Sequence, residues 1–350
     1  MTRPTTAVVD VQAIIDDVRT RGDVAVAEWS RRFDAVDFDS PQPAKPGSGM
    51  PREAVLACAD AVRRWHAAQR PPDIDLEVLP GVRLERRWVP LRRVGVYVPR
   101  GLVSSLVMGA VPAQVAGVES IVVCTPPGGA GLVAAAASLI GVGEVWAVGG
   151  AQAIAAMAYG TASIARVDKI VGPGSRIVNA AKLAVARDVA IDLPAGPSEI
   201  VVAADRGTDP QWIDQEIQAQ CEHGPDSTGF VIEVGDDLEN ALAQIDARAP
   251  EHVALLGPRA ESLAGRIRNA GAIFVGRYAP VPSGDYATGA NHVLPTGGWA
   301  RSVGGLGLEA FMKPVTVQHV TRDGLDRLRP TIEALAAIEG MPLHAAAVRR

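Results

Sequence analysis

Apolar residues recur at three- and four-residue spacing through "DVQAIIDDVRTRG" and again through "DVAVAEWSRRFD". The spacing predicts two short amphipathic helices, with Gly22 as the stop that ends the first. "DSPQPAKPGSG" then carries too much proline, glycine and serine for a regular element and reads as a linker. A third helix is expected over "PREAVLACADAVRRWHAAQR", with Pro51 near its first turn. After Pro71 and Pro72 come two or three short extended segments, the last ending in "VGVYVP".

From about residue 97 the pattern changes. "SIVVCTPPGG" reads as a buried strand entering a turn and is followed by the alanine-rich helix "AGLVAAAASLIG". "EVWAVGG" with "AQAIAAMAYG", and "DKIVGPG" with "SRIVNAAKLAVARD", repeat the plan. Strands alternating with helices imply parallel pairing through right-handed crossovers. Glycines at these strand-to-helix turns let a backbone approach phosphate at a helix start, but they also serve ordinary tight turns. None matches the GxGxxG dinucleotide fingerprint. A second α/β region is expected from about 199 to 306. Beyond it lie the probable-strand pattern "VTVQHV", a helical "RDGLDRLRPTIEALAAIEG" and a closing "MPLHAAAVRR".

Composition narrows the class. Of the 350 residues 48% are hydrophobic, enough for a sizeable core, and only 4% are aromatic. A net charge of -5 without a basic block argues against nucleic acid as a main partner. The three cysteines, Cys58, Cys124 and Cys221, are scattered and suit a reducing cytoplasm rather than a disulfide framework. The start lacks a signal-peptide pattern. The most apolar region, 131–160, is interrupted by Ser138, Glu144 and Gln152, as a membrane span would not be. A soluble, cytoplasmic protein is expected.

Six histidines carry most of the candidate chemistry. His66, in a helix, and His319, in a strand, read as structural. His223, His252, His292 and His344 sit in polar, glycine-punctuated surroundings. In "QCEHGPDS", Gln220 and His223 are three apart and could face one ion from a helix, since imidazole and carboxylate oxygen both suit zinc. The same stretch could instead be a polar helix end, or Cys221 a thiolate assisted by His223. Glu251 and His252 are adjacent and open an apolar run. They could serve as an acid–base pair or merely as a polar strand entrance.

Taken together, "GGAQAIAAMAYGT", "VDKIVGPG", "DLPAGPSEI", "CEHGPDS", "APEHV", "SGDYATGANHVLPT" and the Glu-then-His of "EGMPLH" resemble histidinol dehydrogenase, nearly end to end and in one order. The resemblance implies a zinc enzyme that oxidises an amino alcohol to an amino acid with two NAD. It implies zinc ligands at Gln220, His223, Asp285 and His344, and an acid–base pair at Glu251 and His252. Substrate contacts fall on Ser198, His292 and Glu339, and NAD contacts on Tyr97, Gln152 and Ser175, where serine replaces a usual asparagine. It makes Cys221 a bystander. It also implies a homodimer whose C-terminal segment crosses to the partner, so that Glu339 and His344 complete the other copy's site.

The expected fold is therefore α/β, with two incomplete Rossmann-like parallel-sheet domains and a small C-terminal helical tail. Residues 1–96 and 199–306 would form a discontinuous domain carrying the zinc and acid–base groups. Residues 97–198 would form the cofactor side, and 307–350 the exchanged tail. The chain departs from the family in a shorter 36–50 region, a shorter interval between His223 and Glu251, and Arg100-Gly101 where a glycine pair is usual. Those departures leave room for a relative acting on another small amino alcohol or diol, or for a zinc-binding relative without redox activity.

Overall fold

The computed structural model describes residues 10–193 and 196–349, so Pro194 and Ala195 of "DLPAGPSEI" lie outside the described residues. The chain divides into two compact units, Met1–Gln69 with Leu91–Phe311, and Arg70–Pro90 with Met312–Arg350. In the first unit, α1 (Val11–Arg21) starts where the Asp10 carboxylate accepts the Ala13 N–H at 3.1 Å. It ends at Gly22, whose φ of 57° turns the chain into α2 (Asp23–Asp34). Pro51 caps α3 (Arg52–Ala67).

The second unit opens with the hairpin of β1 (Ile74–Leu79) and β2 (Val82–Pro90). The chain then returns to the first unit for β3 (Arg93–Tyr97), β4 (Ser120–Cys124), β5 (Glu144–Trp146), β6 (Lys169–Val171) and β7 (Ala190–Ile191). These five pair in parallel in the order β5-β4-β3-β6-β7. They are linked by α4 (Val103–Ala116), α5 (Ala130–Leu139), α6 (Gly150–Tyr159) and α7 (Arg176–Val185). Ile14, Val18 and Val26 from α1 and α2 join Val122, Ile154, Met157 and Ile170 in one core. The expected linker does more than connect. The Ala44 N–H donates to the Val145 carbonyl and the Ala147 N–H to the Gln42 carbonyl, at 2.8 and 2.9 Å, so residues 42–44 lie along the edge strand β5. Proline at 43 is compatible with this because only its neighbours bond the strand.

A second parallel sheet follows, built from β8 (Glu199–Asp205), α8 (Pro210–Cys221), β9 (Thr228–Val234), α9 (Leu238–Arg248), β10 (His252–Leu256), α10 (Pro258–Glu261), β11 (Ala272–Val275) and α11 (Val281–Tyr286). Its strand order is β11-β10-β8-β9. Val201, Ile232, Ile245, Val253 and Leu255 fill one face, and Ile200, Val202, Ala254 and Val281 the other. Burial on both faces explains why the central strands β8 and β10 read as unbroken apolar runs. The strand–helix alternation and the two parallel sheets are the α/β fold expected.

In the second unit, β12 (Met312–Val320) pairs antiparallel with β2, giving the order β1-β2-β12, and leads into α12 (Arg322–Ile338) and α13 (Pro342–Ala347). The C-terminal region is thus a strand as well as helices. The Thr321 hydroxyl caps α12 by accepting the Gly324 N–H at 3.1 Å. Among the described residues no helix is long and apolar enough to cross a membrane.

Within the first unit, the carboxyl edge of the five-stranded sheet faces the amino edge of the four-stranded sheet. Arg176, at the start of α7, pairs with Asp226, just before β9, at 3.1 Å. Ser105, in the first turn of α4, shares a proton with His292 Nε2 at 3.4 Å. The segment carrying His292 is moored from beneath. Asn291 Nδ2 donates to the Met108 carbonyl at 2.8 Å, and Asn291 Oδ1 accepts the Val293 N–H at 3.0 Å. Buried His66 bonds the Val62 carbonyl through Nδ1 at 2.8 Å, which puts its proton there and leaves Nε2 to accept from Asn291 at 3.4 Å. Gly289, at φ +90°, lies against α3 so closely that a Cβ would overlap the Ala61 carbonyl. Gly289→Ala should therefore cost about 2–4 kcal/mol, from left-handed strain plus overlap. Thermal unfolding should show a Tm lowered by several degrees; an unchanged Tm would mean the α3 contact is dispensable.

Candidate active site

The amino edge of the four-stranded sheet gathers most of the expected functional side chains. Glu251 precedes β10 and His252 is its first residue; they are 5% and 3% exposed, and their Oε2 and Nδ1 stand 3.6 Å apart. The Glu251 carboxylate accepts the Glu199 N–H at 3.0 Å and a bond from Ser198, both at the entrance to β8. Glu199 in turn accepts the Gly297 N–H at 2.8 Å. The His252 ring packs on Phe274 of β11, with centroids 5.9 Å apart.

Burial acts oppositely on the two neighbours because it disfavours whichever form is charged. It pushes the Glu251 carboxyl up to about 8, against the bonds from Glu199 and Ser198. It drives the His252 imidazole down to about 3, helped by His223. At neutral pH the pair is thus a protonated acid beside an unprotonated base, with little net charge. His292, enclosed likewise, is pushed down to about 4 by burial, against the bond its Nδ1 makes to the Asp285 carbonyl.

One helix supplies the neighbouring polar groups. Gln220 lies in the last turn of α8, 1% exposed, and among the described residues neither its Nε2 nor its Oε1 has a partner. His223 follows the helix end, with Nδ1 3.3 Å from the Gln220 carbonyl and Nε2 4.0 Å from Asp285 Oδ2. Asp285, buried in α11, keeps its other oxygen 4.0 Å from His292 Nδ1, while its carbonyl receives that nitrogen at 3.1 Å. Burial raises the Asp285 carboxyl and the charge of His223 opposes it.

These donors fit a divalent cation. Two atoms each about 2.1 Å from a zinc ion stand no more than about 4.2 Å apart, and the His223–Asp285 separation falls within that limit. The enclosed Gln220 amide, without a partner among the described residues, is an oxygen donor of the kind that can complete such a shell. The carboxyl-terminal end of α8 also favours positive charge. Among the described residues no three His, Cys, Asp or Glu side chains converge to hold an ion by themselves. The donor set at this edge is therefore His223, Asp285 and the amide. His344, in α13, and Glu339, at the end of α12, belong to the other unit, and both are exposed.

On the facing carboxyl edge, the Tyr97 hydroxyl accepts the Gly150 N–H at 3.2 Å and is held near 12 by burial. Gln152 is fully buried in the first turn of α6, its amide unpartnered. Ser175 is exposed and caps α7. The edge thus presents the starts of α5, α6 and α7, whose free N–H groups suit phosphate. Cys221 is exposed and is not bonded to another cysteine.

Three supporting residues escape the sequence pattern. Glu199 holds Glu251, and Ser105 reaches His292 from the other sheet. Glu216, one turn before Gln220 on the buried face of α8, accepts the Val281 N–H at 3.0 Å and so docks α11 on α8. Only Glu216 carried a signal, its four-residue spacing from Gln220.

A family profile described as histidinol dehydrogenase matches residues 2–235 and 229–350. Histidinol dehydrogenase of Methanosarcina mazei is 38% identical over 97% of this chain and 90% of its own length. That of Methanothermobacter thermautotrophicus is 39% identical over 97% and 92%. The crystal structure of histidinol dehydrogenase from Elizabethkingia anophelis superposes with a TM-score of 0.87, at 31% identity, over 97% of this chain and 90% of that one. The α/β fold, shared with a solved relative, and the family match define a dehydrogenase. The chain belongs to the histidinol dehydrogenase family.

The opposed shifts have a measurable consequence. Between pH 4.5 and about 8 the folded state keeps a proton on Glu251 that the unfolded chain releases, so stability falls as pH rises through that window. His252 acts oppositely between about 3 and 6.5, where the unfolded chain binds a proton the folded state refuses. The two offset each other up to about pH 6.5, and above it only the Glu251 penalty remains. In chelator-treated protein, Glu251→Gln should therefore gain a few degrees in Tm over the parent between pH 6.5 and 8.5. Parallel Tm profiles would show that Glu251 is already ionised at neutral pH.

Proposed function

We propose that the protein oxidises L-histidinol to L-histidine through histidinal, reducing two NAD, in the cytoplasm as part of histidine biosynthesis. The observation that carries this reading is the convergence of Glu251, His252, His223, Asp285 and His292 on one edge of the four-stranded sheet, with Glu251, His252 and Asp285 buried and His223 open to solvent. Gln220, His223 and Asp285 would hold a zinc ion, with His344 supplied by a second copy of the chain in a homodimer. Zinc when bound supplies a Lewis acid that orients the substrate's amino group and hydroxyl.

His252, unprotonated through burial, accepts the alcohol proton as hydride leaves the carbinol carbon for the nicotinamide, giving the aldehyde. Glu251 titrates close to neutral pH, which suits a group that must both hold and release a proton. Its ionised form takes a proton from water as the oxygen adds to the aldehyde carbon. The hydrate would then lose a second hydride to a second NAD as its hydroxyl protons pass through His252 to solvent, leaving the carboxylate. Enclosure of both groups keeps the aldehyde from side reactions between the two steps. Ser198 holds the Glu251 carboxyl, His292 lines the substrate side, and Glu339 from the second copy would accept the substrate imidazole N–H. Tyr97, Gln152 and Ser175 lie on the carboxyl edge that would receive NAD, its phosphates against the helix starts.

With zinc and L-histidinol, NAD reduction should fall about 10²–10⁴-fold in His252→Ala while zinc content stays near the parent's. Full activity in that variant, or a best substrate lacking an imidazole, would overturn this reading. Zinc loss to a competing chelator should be greater in His223→Ala than in Gln220→Ala, because an amide oxygen is the poorer ligand. Equal loss would remove Gln220 from the shell.

A further inference from the structure

Outside the residues already given a role, the least expected group in the molecule is a buried ion pair. Lys182 lies on the inner face of α7 and Asp192 follows β7; their side chains are 2% and 0% exposed and in direct contact. Enclosing two opposite charges costs several kcal/mol per ion, and an apolar pair of equal volume often stabilises a fold as well or better. Stability alone therefore gives a weak reason for this pair. Its geometry gives a stronger one, because both members bond the backbone of one residue. Lys182 Nζ donates to the Gly172 carbonyl at 2.9 Å, and Asp192 Oδ2 accepts the Gly172 N–H at 2.7 Å. Asp192 also accepts the Leu193 N–H at 2.8 Å.

Gly172 is where β6 leaves the sheet. It stands at φ +113°, and a Cβ would overlap the Tyr97 carbonyl at the end of β3. The rest of the turn is held from the same helix. Asn179 Nδ2 donates to the Gly174 carbonyl at 2.9 Å, and Ser175 caps α7. Buried Asn179 leaves its Oδ1 without a partner. The order β5-β4-β3-β6-β7 reverses between β3 and β6, and ligands of open parallel sheets bind outside the carboxyl ends of strands at such a reversal. The clamped turn forms one wall of that crevice and Tyr97 the other.

We propose that Lys182 and Asp192 are positioning residues for dinucleotide binding: together they hold the Gly172–Ser175 turn at the spacing from β3 that admits the cofactor. The proposal rests on the reading of this edge as the NAD side. Neither residue touches the ligand; they act through the Gly172 peptide. A neutral apolar pair of similar volume could fill the same space but could not bond that peptide's N–H and C=O, so it should preserve the fold and lose the spacing.

The test is the double variant Lys182→Met, Asp192→Leu, which leaves no unpaired buried charge. Its Tm should stay within a few degrees of the parent's, while the NAD dissociation constant, measured by calorimetric titration, rises at least about tenfold, with zinc content and KM for L-histidinol unchanged. Asp192→Glu, which keeps the charge and moves the carboxylate by one methylene, should weaken NAD binding several-fold and serves where the double variant does not fold. An NAD affinity equal to the parent's in either folded variant overturns the proposal. Ser175→Trp separates the two readings, since a bulky ring at the start of α7 should block a dinucleotide there. If it blocks NAD while the clamp variants bind normally, the clamp alone is refuted. If it leaves NAD binding intact, the cofactor edge lies elsewhere and the clamp proposal falls with it.

Discussion

Parallel strands have two chemically unlike ends. In a strand–helix repeat the helices begin at the carboxyl edge of the sheet and finish at its amino edge, so one edge collects free N–H groups and the other free carbonyls. The first unit turns the carboxyl edge of its five-stranded sheet toward the amino edge of its four-stranded sheet, through Arg176–Asp226 and Ser105–His292. A junction of this kind offers an anion-favouring wall opposite a cation-favouring one. The proposed reaction, with an anionic dinucleotide and a metal-held amino alcohol, would use such a pair of walls. The usual rule places ligands at carboxyl ends; the amino edge becomes usable here because a second sheet closes over it.

The opposed ionisation of Glu251 and His252 follows from the same enclosure. Glu251 and His252 are adjacent in the chain, at the mouth of a strand buried on both faces. In water the carboxyl would be ionised at neutral pH and the imidazole would titrate near it; enclosed, the carboxyl keeps its proton and the imidazole stays neutral, so neither carries a charge. Glu199 and Ser198 limit the effect by bonding the carboxylate, which keeps Glu251 within reach of physiological pH.

Periodicity shows which face of an element is apolar, and at strands 120–124 and 200–204 that was enough to read a parallel α/β fold. It does not show which distant segment lies across from a face. The pairing of β2 with β12 joins segments far apart in the chain and leaves no local mark. Lys182 reads as an ordinary surface lysine of an amphipathic helix, because nothing nearby announces Asp192 as its partner. Glu251, His252 and Gln220 were visible as candidates on chemistry alone; that they meet at one sheet edge was not. His66 was read correctly as structural; that it steadies the segment bearing His292 is a tertiary fact carried by Asn291.

The proline- and glycine-rich segment before α3 has a part that its composition hides. By running along β5 through Gln42 and Ala44, it occupies the hydrogen-bonding groups of an outermost strand and puts Pro43 on the rim. An uncovered strand at that position would be a template for a second polypeptide, and proline is a residue that ends such pairing. The stretch that looks most expendable for trimming therefore guards the sheet against self-association, and a shortened chain would be expected to aggregate before it lost any group of the reaction centre.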